Sequence, residues 1–517
     1  MAIRNSIIRS TPSILASVAG LAFWAGCGAS DQVPAGSGGA SSTSAAGGPG
    51  NHAGGPATTG AAGSSAAGAA PVGTAGAASG TAGAGGAGVV GAGGSVASGG
   101  SAPASGGSPA SGGSPAAGGS GTTGQAGSSS LPGYNPDFKE DAGTACTLPD
   151  PKMLATADHH LPDPFLMSDG TRMSMKSQWT CQRAWLKKTV EAFVHGKKPA
   201  KPTTVTGTVT ATKVSIHVEE GGKSADFSIP ISLPSGATGP VPAMFQAEGS
   251  GVPASFLKAE GVATMSYTHA DLEGAFGKLY STSVSPQIKW AWGVSRAIDV
   301  LVSERDAGNN KIIDPTALGT TGCSYAGKSA FTVGAFDERI ALGIPMESGT
   351  GGLGSYRIVG DNDKGPNKGE GPEQLNEACA KWFAPVFCSA KVDSVPADAE
   401  FLVAMYAPRG FTTLDNNRIG HLGPVASFAS DQAGAEVFKA LGILSNIGYH
   451  GGNDTDPHDH CSWNKSQEDT ARKAIQGFLT KKIAHANFFE PKLKDGSDKA
   501  ITFDLKKYIT WTTPTLQ

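Results

Sequence analysis

The sequence predicts an α/β fold in which helices cover both faces of a mostly parallel sheet, with an N-terminal region of antiparallel strands. In the second half of the chain, short apolar runs typical of buried strands alternate with segments of helical period, as in βαβ units. Ahead of them, three consecutive runs alternate apolar and polar residues, which is typical of antiparallel strands. A serine also stands in a short turn between a strand and a helix, where open sheets of this class carry functional residues.

The N-terminus has the features of an export signal. Arg4 and Arg9 precede an apolar run at residues 14–25, which is too short for a comfortable membrane span. The run ends at Cys27 in a context that resembles a bacterial lipoprotein processing box. We therefore predict a lipoprotein-type signal peptide at residues 1–27, lipidation of Cys27, and display of the protein at a bacterial cell surface or outer membrane, or else secretion.

The next hundred residues have the composition of a tether. Many of the chain's 74 glycines lie in residues 28–131, which are almost entirely Ala, Gly, Ser, Pro and Thr without apolar periodicity. Such a segment cannot bury enough apolar surface to offset its ordering entropy. We predict a disordered tether there and one large folded domain at residues 132–517. The net charge of −3 and the lack of a basic stripe argue against a nucleic-acid partner, and a membrane would be contacted only through the lipid anchor.

The folded domain begins with an extended segment at residues 161–165 and a helix. Trp179, Leu186 and Val190 recur at helical spacing, and Gly196 can end that helix. Alternating runs follow, and then an uninterrupted apolar run that leads into a glycine-rich loop at residues 249–251. The predicted elements are a helix at 177–194, antiparallel strands at 205–212, 214–218 and 227–231, and a buried strand at 241–245.

The second half contains the alternating strands and helices. It opens with an amphipathic helix on which Trp290, Val294 and Ile298 share one face. The predicted elements are a helix at 290–302, a strand at 312–321, a helix of small residues at 330–336, strands at 340–345 and 401–406, and helices at 436–444 and 470–479.

Residues 322–329 carry the main candidate motif. Ser324 lies between a predicted strand and a predicted helix and is surrounded by small residues, as in the nucleophile elbow of α/β-hydrolases. Ala326 occupies the usual position of the second glycine and is small enough for the turn. The same residues also match the phosphate-binding P-loop pattern, which would require a cytoplasmic nucleotide. The export signal favours the elbow. The glycine-rich loop at 249–251 could supply a second oxyanion N–H group, or it could be an ordinary turn.

A serine nucleophile needs a base that is oriented by an acid. In hydrolases of this fold the chain order is serine, acid, histidine, and Glu347 follows the strand after the nucleophile's helix. Glu347 could instead be a surface or capping carboxylate. The histidines after it are His421, His450, His458, His460 and His485, and the loop at residues 454–461 is the preferred source of the base.

The six cysteines of the domain suggest disulfides in an exported protein. A bridge between Cys323 and Cys461 would bring Ser324 and His460 together, because each functional residue is next to one of these cysteines. The loop at 454–461 could alternatively bind a metal ion, since carboxylates and imidazoles both ligate divalent ions.

Several further motifs resemble those of the glucuronoyl esterases, a family of carbohydrate esterases, over residues 161–479. The resemblance implies an α/β-hydrolase fold, no metal or organic cofactor, and hydrolysis of esters between the glucuronate of xylan and lignin alcohols in plant cell walls. The motifs that carry it are Gly322-Cys323-Ser324, Gly327-Lys328, Ile344-Pro345, Glu347-Ser348-Gly349, His460-Cys461, Leu161-Pro162-Asp163-Pro164-Phe165, Gln178-Trp179, Ala291-Trp292-Gly293-Val294-Ser295-Arg296, Ala407-Pro408-Arg409-Gly410 and Leu422-Gly423-Pro424.

The resemblance also assigns roles to residues. It implies Ser324 as nucleophile, Glu347 as acid and His460 as base. Lys328 matches a lysine that binds glucuronate hydroxyls, although a lysine at a helix start could also be simply solvated. The implied disulfides are Cys146–Cys181 and Cys323–Cys461 and, with them, Cys379–Cys388.

Two positions depart from the family pattern. Tyr325 stands where the family has an arginine that helps to hold the oxyanion, and His421 stands where it has a tryptophan that stacks on the sugar. Glu370 and Glu377 bound the acidic segment that corresponds to the family's sugar-binding residues. These departures leave two alternatives open, an esterase for another carbohydrate ester and a catalytically weak surface carbohydrate-binding protein.

Overall fold

The structure is a computed structural model that describes residues 138–362, 369–371, 376–452, 458–484, 493–494 and 499–517. The side chains of residues 362 and 376–378 lie outside this description. The predicted signal peptide with Cys27 and the predicted tether at 28–131 also lie outside it. Within the described residues, no helix combines the length and apolar character needed to cross a membrane.

One mixed sheet organises the described part of the chain. Its first three strands are antiparallel to their neighbours, and the third pairs antiparallel with the fifth. From the fifth strand onward every neighbouring pair is parallel. The strands are β1 (Thr204–Val209), β2 (Lys213–Glu220), β3 (Lys223–Ser232), β4 (Val241–Ala247), β5 (Ala263–Tyr267), β6 (Ile313–Cys323), β7 (Ile340–Met346), β8 (Gly410–Leu414) and β9 (Ile447–His450), in the order β1-β2-β3-β5-β4-β6-β7-β8-β9.

A two-stranded ribbon lies apart from this sheet. It pairs β10 (Leu493–Lys494) with β11 (Ala500–Ile501). The α-helices of the described part are α1 (Trp179–Val190), α2 (Ala254–Ala259), α3 (His269–Leu279), α4 (Pro286–Asp306), α5 (Tyr325–Phe336), α6 (Pro385–Cys388), α7 (Ala399–Met405), α8 (Pro424–Leu441) and α9 (Lys465–Phe478).

Helices cover both faces of the sheet. Because successive side chains of a strand point to opposite faces, Met244 and Phe245 of β4 belong to different apolar clusters. One cluster joins the sheet to α2 and α9, and the other joins it to α4, α5, α7 and α8. The sheet is therefore buried on both sides, as predicted for parallel strands that read as continuous apolar runs.

The predicted fold class is confirmed, but one predicted strand is wrong. Residues 401–405 are part of helix α7, and Tyr406 is its C-cap. The helix begins after Asp398, whose side chain accepts a hydrogen bond from Ala399 N. This helix is buried on all sides, so its short apolar run has no polar face that would reveal a helical period. The strand of this region is β8, which begins several residues later. The structure also extends several predicted helices toward their N-termini, since α5 begins at Tyr325 and α8 at Pro424.

The first described residues are tied into the domain by ion pairs and a disulfide. Glu140 Oε1 lies 2.6 Å from Lys198 Nζ, and the same carboxylate contacts Arg296. Both cationic side chains are buried. Burial alone would raise the pKa of Glu140, but the neighbouring cations outweigh it and lower that pKa. The disulfide Cys146–Cys181 attaches this segment to α1.

Candidate active site

The carboxyl ends of the parallel strands meet at one edge of the sheet and carry the candidate residues. Ser324 follows β6, Glu347 follows β7, Asp415 follows β8 and His450 ends β9. Ser324 N donates to the Met346 carbonyl at 3.0 Å, and Glu347 N donates to the Leu414 carbonyl at 2.9 Å. This edge is where open α/β sheets form their sites.

Ser324 occupies a sharp turn with a strained backbone. Its φ is 56° and its ψ is −122°, which are rare for a residue with a side chain, and α5 begins at the next residue. A Cβ on Gly322 would lie 2.2 Å from the Ala326 carbonyl oxygen, so the turn requires glycine there. Because β6 ends at Cys323 and the helix begins at Tyr325, no loop remains that could wrap around phosphates. The turn thus has the geometry of a nucleophile elbow and not that of a P-loop.

Glu347 is a fully buried carboxylate with three nitrogen atoms at hydrogen-bond distance. Oε2 lies 2.6 Å from His460 Nδ1 and 2.7 Å from Cys461 N, and Oε1 lies 2.9 Å from His458 Nε2. Burial would raise the pKa of Glu347, but these hydrogen bonds outweigh it and lower that pKa. Its φ of 45° adds backbone strain of the kind found at active sites. The alternative of a surface carboxylate is therefore excluded by its burial.

Two of the candidate histidines contact Glu347. The His460 side chain is 34% exposed, whereas the His458 side chain is only 4% exposed. The ring centroid of His421 lies 5.9 Å from that of His460. His450 is buried at the end of β9, with Nε2 3.1 Å from Ser466 Oγ. His485 and residues 453–457 of the histidine loop lie outside the described residues.

The structure contains the three disulfides that the resemblance implied. They are Cys146–Cys181, Cys323–Cys461 and Cys379–Cys388. The second joins the elbow to the histidine loop across a Cα–Cα distance of 5.7 Å. Among the described residues, possible metal-ligand atoms of Cys323, Glu347, His460 and Cys461 lie within 4.8 Å of one another. The two sulfurs are bonded to each other and the other two groups share a hydrogen bond, so this set offers no thiolate ligand.

The glycine-rich loop after β4 lies directly against the elbow. Gly251 has φ of 96°, and a Cβ there would lie 2.5 Å from Gly322 N. Ser250 Oγ accepts a hydrogen bond from Cys323 N at 3.2 Å. The backbone of this loop can therefore lie this close to the elbow only because Gly251 has no side chain. That it supplies an oxyanion N–H group stays a prediction.

Tyr325, the residue after the nucleophile, has its side chain engaged in the wall of the site. Its ring packs edge-on against His269 and Trp290, with centroid distances of 5.1 and 5.2 Å. Its hydroxyl donates to the Lys381 carbonyl at 3.3 Å. As the first residue of α5, Tyr325 has a backbone N–H group that lacks a partner within the helix. The backbone rather than the side chain is therefore the group that can face an oxyanion.

Lys328 is buried rather than solvated, with only 4% of its surface exposed. Its ammonium donates to the Ser348 carbonyl and lies 4.5 Å from the centroid of the Trp382 ring. Burial lowers the pKa of Lys328 to about 8, although Glu370 and Asp415 act in the opposite direction. Sequence reasoning missed Trp382, because a lone tryptophan outside any periodic pattern carries no signal of its location.

A side chain of α4 hydrogen-bonds to the backbone of Trp382. Gln287 Nε2 donates to the Trp382 carbonyl at 2.9 Å and to the Gly351 carbonyl at 2.8 Å. Gln287 is fully buried, so the half-buried tryptophan stands on a rigid support. The disulfide Cys379–Cys388 closes the segment that carries it.

The predicted sugar-binding residues are only partly brought together. Glu370 N donates to the His421 carbonyl at 3.0 Å, so these two residues are neighbours at the rim. Burial lowers the pKa of His421, and the charges of both Glu370 and Lys328 act on it, so these three side chains lie within electrostatic range of one another. The Glu377 side chain lies outside the described residues.

Asp415 is a further buried carboxyl group at this edge that the sequence did not reveal. Burial, together with the nearby charge of Glu347, raises its pKa to about 6. The Tyr449 hydroxyl donates to Asp415 Oδ2 at 3.0 Å. The residue was missed because the strand before it, β8, was not predicted.

Fold and site together define an α/β-hydrolase with a serine elbow and a buried acid–imidazole pair. Comparisons with known proteins narrow this class. The sequence model of the family described as "Glucuronyl esterase, fungi" matches residues 216–442. The 4-O-methyl-glucuronoyl methylesterase of Schizophyllum commune is 33% identical over 375 residues, which are 69% of this chain and 91% of the relative. The enzyme of that name from Hypocrea jecorina is 32% identical, over 72% of this chain and 80% of the relative. The chain belongs to the glucuronoyl esterase family, whose members are carboxylic ester hydrolases.

Solved structures agree with this assignment. The glucuronoyl esterase catalytic domain from Hypocrea jecorina is 31% identical, with a TM-score of 0.62, over 72% of this chain and 100% of that domain. A mutant glucuronoyl esterase from Sporotrichum thermophile, in complex with methyl 4-O-methyl-β-D-glucopyranuronate, is 30% identical with a TM-score of 0.63, over 72% of this chain and 100% of its own. The predicted fold and family are thereby confirmed.

Proposed function

We propose that this esterase hydrolyses esters of glucuronate and 4-O-methyl-glucuronate in plant cell-wall glucuronoxylan, including those that link it to lignin alcohols. The observation that carries the proposal is the 2.6 Å hydrogen bond between His460 Nδ1 and Glu347, joined to the Ser324 elbow by the Cys323–Cys461 disulfide. The names of the relatives support the substrate class, since they are methylesterases of 4-O-methyl-glucuronate.

The reaction would follow the acyl-enzyme route of serine hydrolases. Ser324 Oγ attacks the ester carbonyl while His460 Nε2 takes its proton, and Glu347 stabilises the imidazolium through Nδ1–H. The backbone N–H of Tyr325 and the loop at 249–251 hold the oxyanion. Collapse of the tetrahedral intermediate expels the alcohol, which takes the proton from His460. A water molecule then attacks with His460 as base, releasing the uronic acid and restoring Ser324.

Lys328 and Trp382 are the groups best suited to the sugar. A buried ammonium can donate charge-assisted hydrogen bonds to hydroxyl groups, and an aromatic ring beside it can pack against the apolar face of a pyranose. His421 and Glu370 at the rim add polar partners. This combination favours a uronate ester over a simple acetyl or aryl ester, which offers no sugar ring at the acyl carbon.

The proposal is tested by substrate comparison with a nucleophile variant. We expect the full chain to hydrolyse methyl and benzyl glucuronate faster than acetyl xylan or aryl acetates, and Ser324→Ala to abolish both the activity and labelling by a fluorophosphonate. Preference for acetyl esters would favour the alternative of another carbohydrate esterase. Absence of turnover and of labelling in the wild type would favour a binding protein.

We further propose that the protein is exported and anchored by a lipid on Cys27, with residues 28–131 acting as a tether. Arg4, Arg9 and the apolar run at 14–25 support export, and the composition of 28–131 supports a flexible spacer. In cells, Cys27→Ala should release the protein from the membrane fraction and prevent its labelling by radioactive palmitate. Equal membrane association of the variant would exclude the anchor.

A further inference from the structure

Glu347 accepts a hydrogen bond that the pairing with His460 alone does not explain. Oε2 is already occupied by His460 Nδ1 and Cys461 N. Oε1 lies 2.9 Å from Nε2 of the buried His458. Since a neutral imidazole carries only one proton, its tautomer decides whether Glu347 meets a donor or a lone pair.

The tautomer of His458 is determined by Asn464, the N-cap of α9. Asn464 Oδ1 accepts from Gln467 N at 2.9 Å and from Ser466 Oγ at 3.0 Å. A backbone N–H can only donate, so the oxygen of this amide is identified without ambiguity. The amide nitrogen Nδ2 is therefore the atom 2.8 Å from His458 Nδ1, and it donates there. His458 Nδ1 is unprotonated, which puts the ring proton on Nε2, facing Glu347.

A second amide lies close to the same ring and must be reconciled with this assignment. Gln467 Nε2 lies 3.0 Å from His458 Nε2, while its Oε1 accepts from Asn464 N at 3.3 Å. Gln467 could donate to Nε2 only if that nitrogen carried no proton. The ring would then turn a lone pair toward the Glu347 carboxylate and an N–H toward the amide N–H of Asn464. Both contacts would be repulsive, whereas the Nε2–H tautomer leaves one unfavourable contact, with the neutral Gln467 amide, and satisfies both Glu347 and Asn464. The Nε2–H tautomer is therefore the favoured one.

We propose that His458 and Asn464 are positioning residues for the catalytic pair. The helix cap holds His458 as the Nε2–H tautomer, and His458 holds one oxygen of Glu347 so that the other faces His460. This inference rests on the proposed function, because it takes Glu347 as the group that orients His460. It links the first turn of α9 to the geometry of the base.

Other titratable groups also face this pair. His421 lies beside His460, and the buried Asp415 at the end of β8 interacts with Glu347. Glu370 and Lys328 act on His421 from the rim. The variants below leave all four unchanged, so differences in pH profile report on His458 and Asn464.

On the acid side of the pH profile, kcat/KM falls as His460 becomes protonated. Two substitutions should move this acid limb in opposite directions. In His458→Ala, Glu347 loses a donor and becomes more basic, so His460 holds its proton more tightly and the limb moves to higher pH. In Asn464→Asp, an acceptor faces Nδ1 and His458 takes a second proton between two carboxylates. Its positive charge makes Glu347 less basic and disfavours protonation of His460, so the limb moves to lower pH. We expect kcat of His458→Ala to fall about ten- to hundredfold with a smaller change in KM.

Matched variants separate positioning from folding. Asn464→Ser and Asn464→Asp both keep a good N-cap. The serine variant removes the donor to His458 without placing a carboxylate there. It should lower kcat without the shift to lower pH. His458→Gln supplies an amide donor and should restore part of the activity that His458→Ala loses. Shifts in the same direction for His458→Ala and Asn464→Asp, or none in either, would overturn the proposal.

A readout independent of turnover is the ¹⁵N spectrum of the histidines in the full chain carrying Ser324→Ala. We expect His458 to show a protonated Nε2 and an acceptor Nδ1, and Asn464→Asp to show both nitrogens protonated. A protonated Nδ1 with a bare Nε2 in the parent would refute the inference directly. If the spectra agree but the wild type does not hydrolyse glucuronate esters, the tautomer assignment stands and the proposed function fails.

Discussion

Tyr325 occupies a position where the side chain and the backbone have separate roles. The hydroxyl is bound to the Lys381 carbonyl and the ring packs on Trp290 and His269, so neither is free to donate to an oxyanion. Compared with the arginine that the resemblance implies at this position, the Tyr325 side chain therefore offers no charged donor. The rings of Tyr325, His269 and Trp290 form an aromatic wall, which contributes packing but no positive charge.

The first prediction is that Tyr325→Phe changes kcat little, whereas Tyr325→Arg raises it. The phenylalanine keeps the ring contacts and the backbone N–H. The arginine would add a charged donor, and one oxyanion donor is worth about 10²–10³ in rate. We expect at least part of this gain in turnover of benzyl glucuronate, with little change in KM. A folded Tyr325→Arg enzyme slower than the wild type would mean that the site has been rebuilt around the tyrosine.

Lys328 predicts a pH dependence of substrate binding. Burial lowers its pKa from the ordinary 10.5 to about 8, so its charge is present below pH 8 and is lost as the pH rises through that value. We expect KM for methyl glucuronate to rise above about pH 8. Lys328→Met should have a KM raised about tenfold and flat in this range, because hydrogen bonds from a charged group contribute about 1.5–3 kcal/mol.

The lowered pKa of Lys328 also predicts how the stability of the fold depends on pH. The charged form that favours substrate binding is the form that destabilises the folded protein. Because the unfolded chain keeps this lysine protonated up to about pH 10.5, the cost of burying the ammonium is greatest below pH 8 and fades as the pH rises. Lys328→Met should therefore unfold at higher urea concentration than the wild type at neutral pH. Equal KM and equal urea midpoints in the two proteins would contradict a buried, functional lysine.

Among the larger elements, the disulfides distinguish two parts of the site. Cys323–Cys461 spans 138 residues and joins the elbow to the base loop, whereas Cys379–Cys388 spans 9 residues and closes the segment with Trp382. The first bridge therefore bears on the nucleophile and base, and the second on the sugar-binding wall.

Removing each bridge with paired serine substitutions should have different effects. Loss of Cys323–Cys461 should lower the free energy of unfolding by roughly 4–5 kcal/mol and reduce kcat. Loss of Cys379–Cys388 serves as the matched control and should cost roughly 2–3 kcal/mol and raise KM. Urea unfolding with steady-state kinetics on both variants gives the comparison. A larger fall of kcat in the control would reverse this assignment of roles.

For the molecule as a whole, buried ion pairs attach the first described residues to the fold, a feature that composition does not reveal. Glu140 pairs with the buried Lys198 and Arg296, of which Arg296 also pairs with Asp299, and Cys146 attaches the segment to α1. Removing one partner of a buried ion pair lowers the free energy of unfolding by about 3–5 kcal/mol. The segment around residue 140 is thus a part of the domain although it contains little apolar surface.

We therefore expect a chain that begins at Pro132 to keep the kcat, KM and thermal midpoint of the full-length protein. A chain that begins at Thr147, only slightly shorter, should unfold at a clearly lower temperature, because it lacks Glu140 and Cys146. Differential scanning calorimetry of the two chains tests this. If the chain from Pro132 lost its cooperative transition, residues before it would be part of the fold.

The sequence determined those features that depend on local chemistry. The elbow at Ser324, the strand before it and Glu347 after β7 follow from small residues, apolar runs and chain order, which neighbouring residues define. The buried helix α7 defeated the same reasoning, because a helix without a polar face has no detectable period. With β8 misassigned, Asp415 could not be foreseen either.

Only the tertiary structure decided how distant residues meet. The loop sequence offered both His458 and His460 as partners of Glu347, and the fold uses both. The contact between Trp382 and Lys328 joins segments that are far apart in the chain. The tautomer of His458 depends on the direction of a single amide, that of Asn464. Such contacts leave no periodic trace in the sequence, because they are set by the packing of whole elements and not by the preferences of the residues themselves.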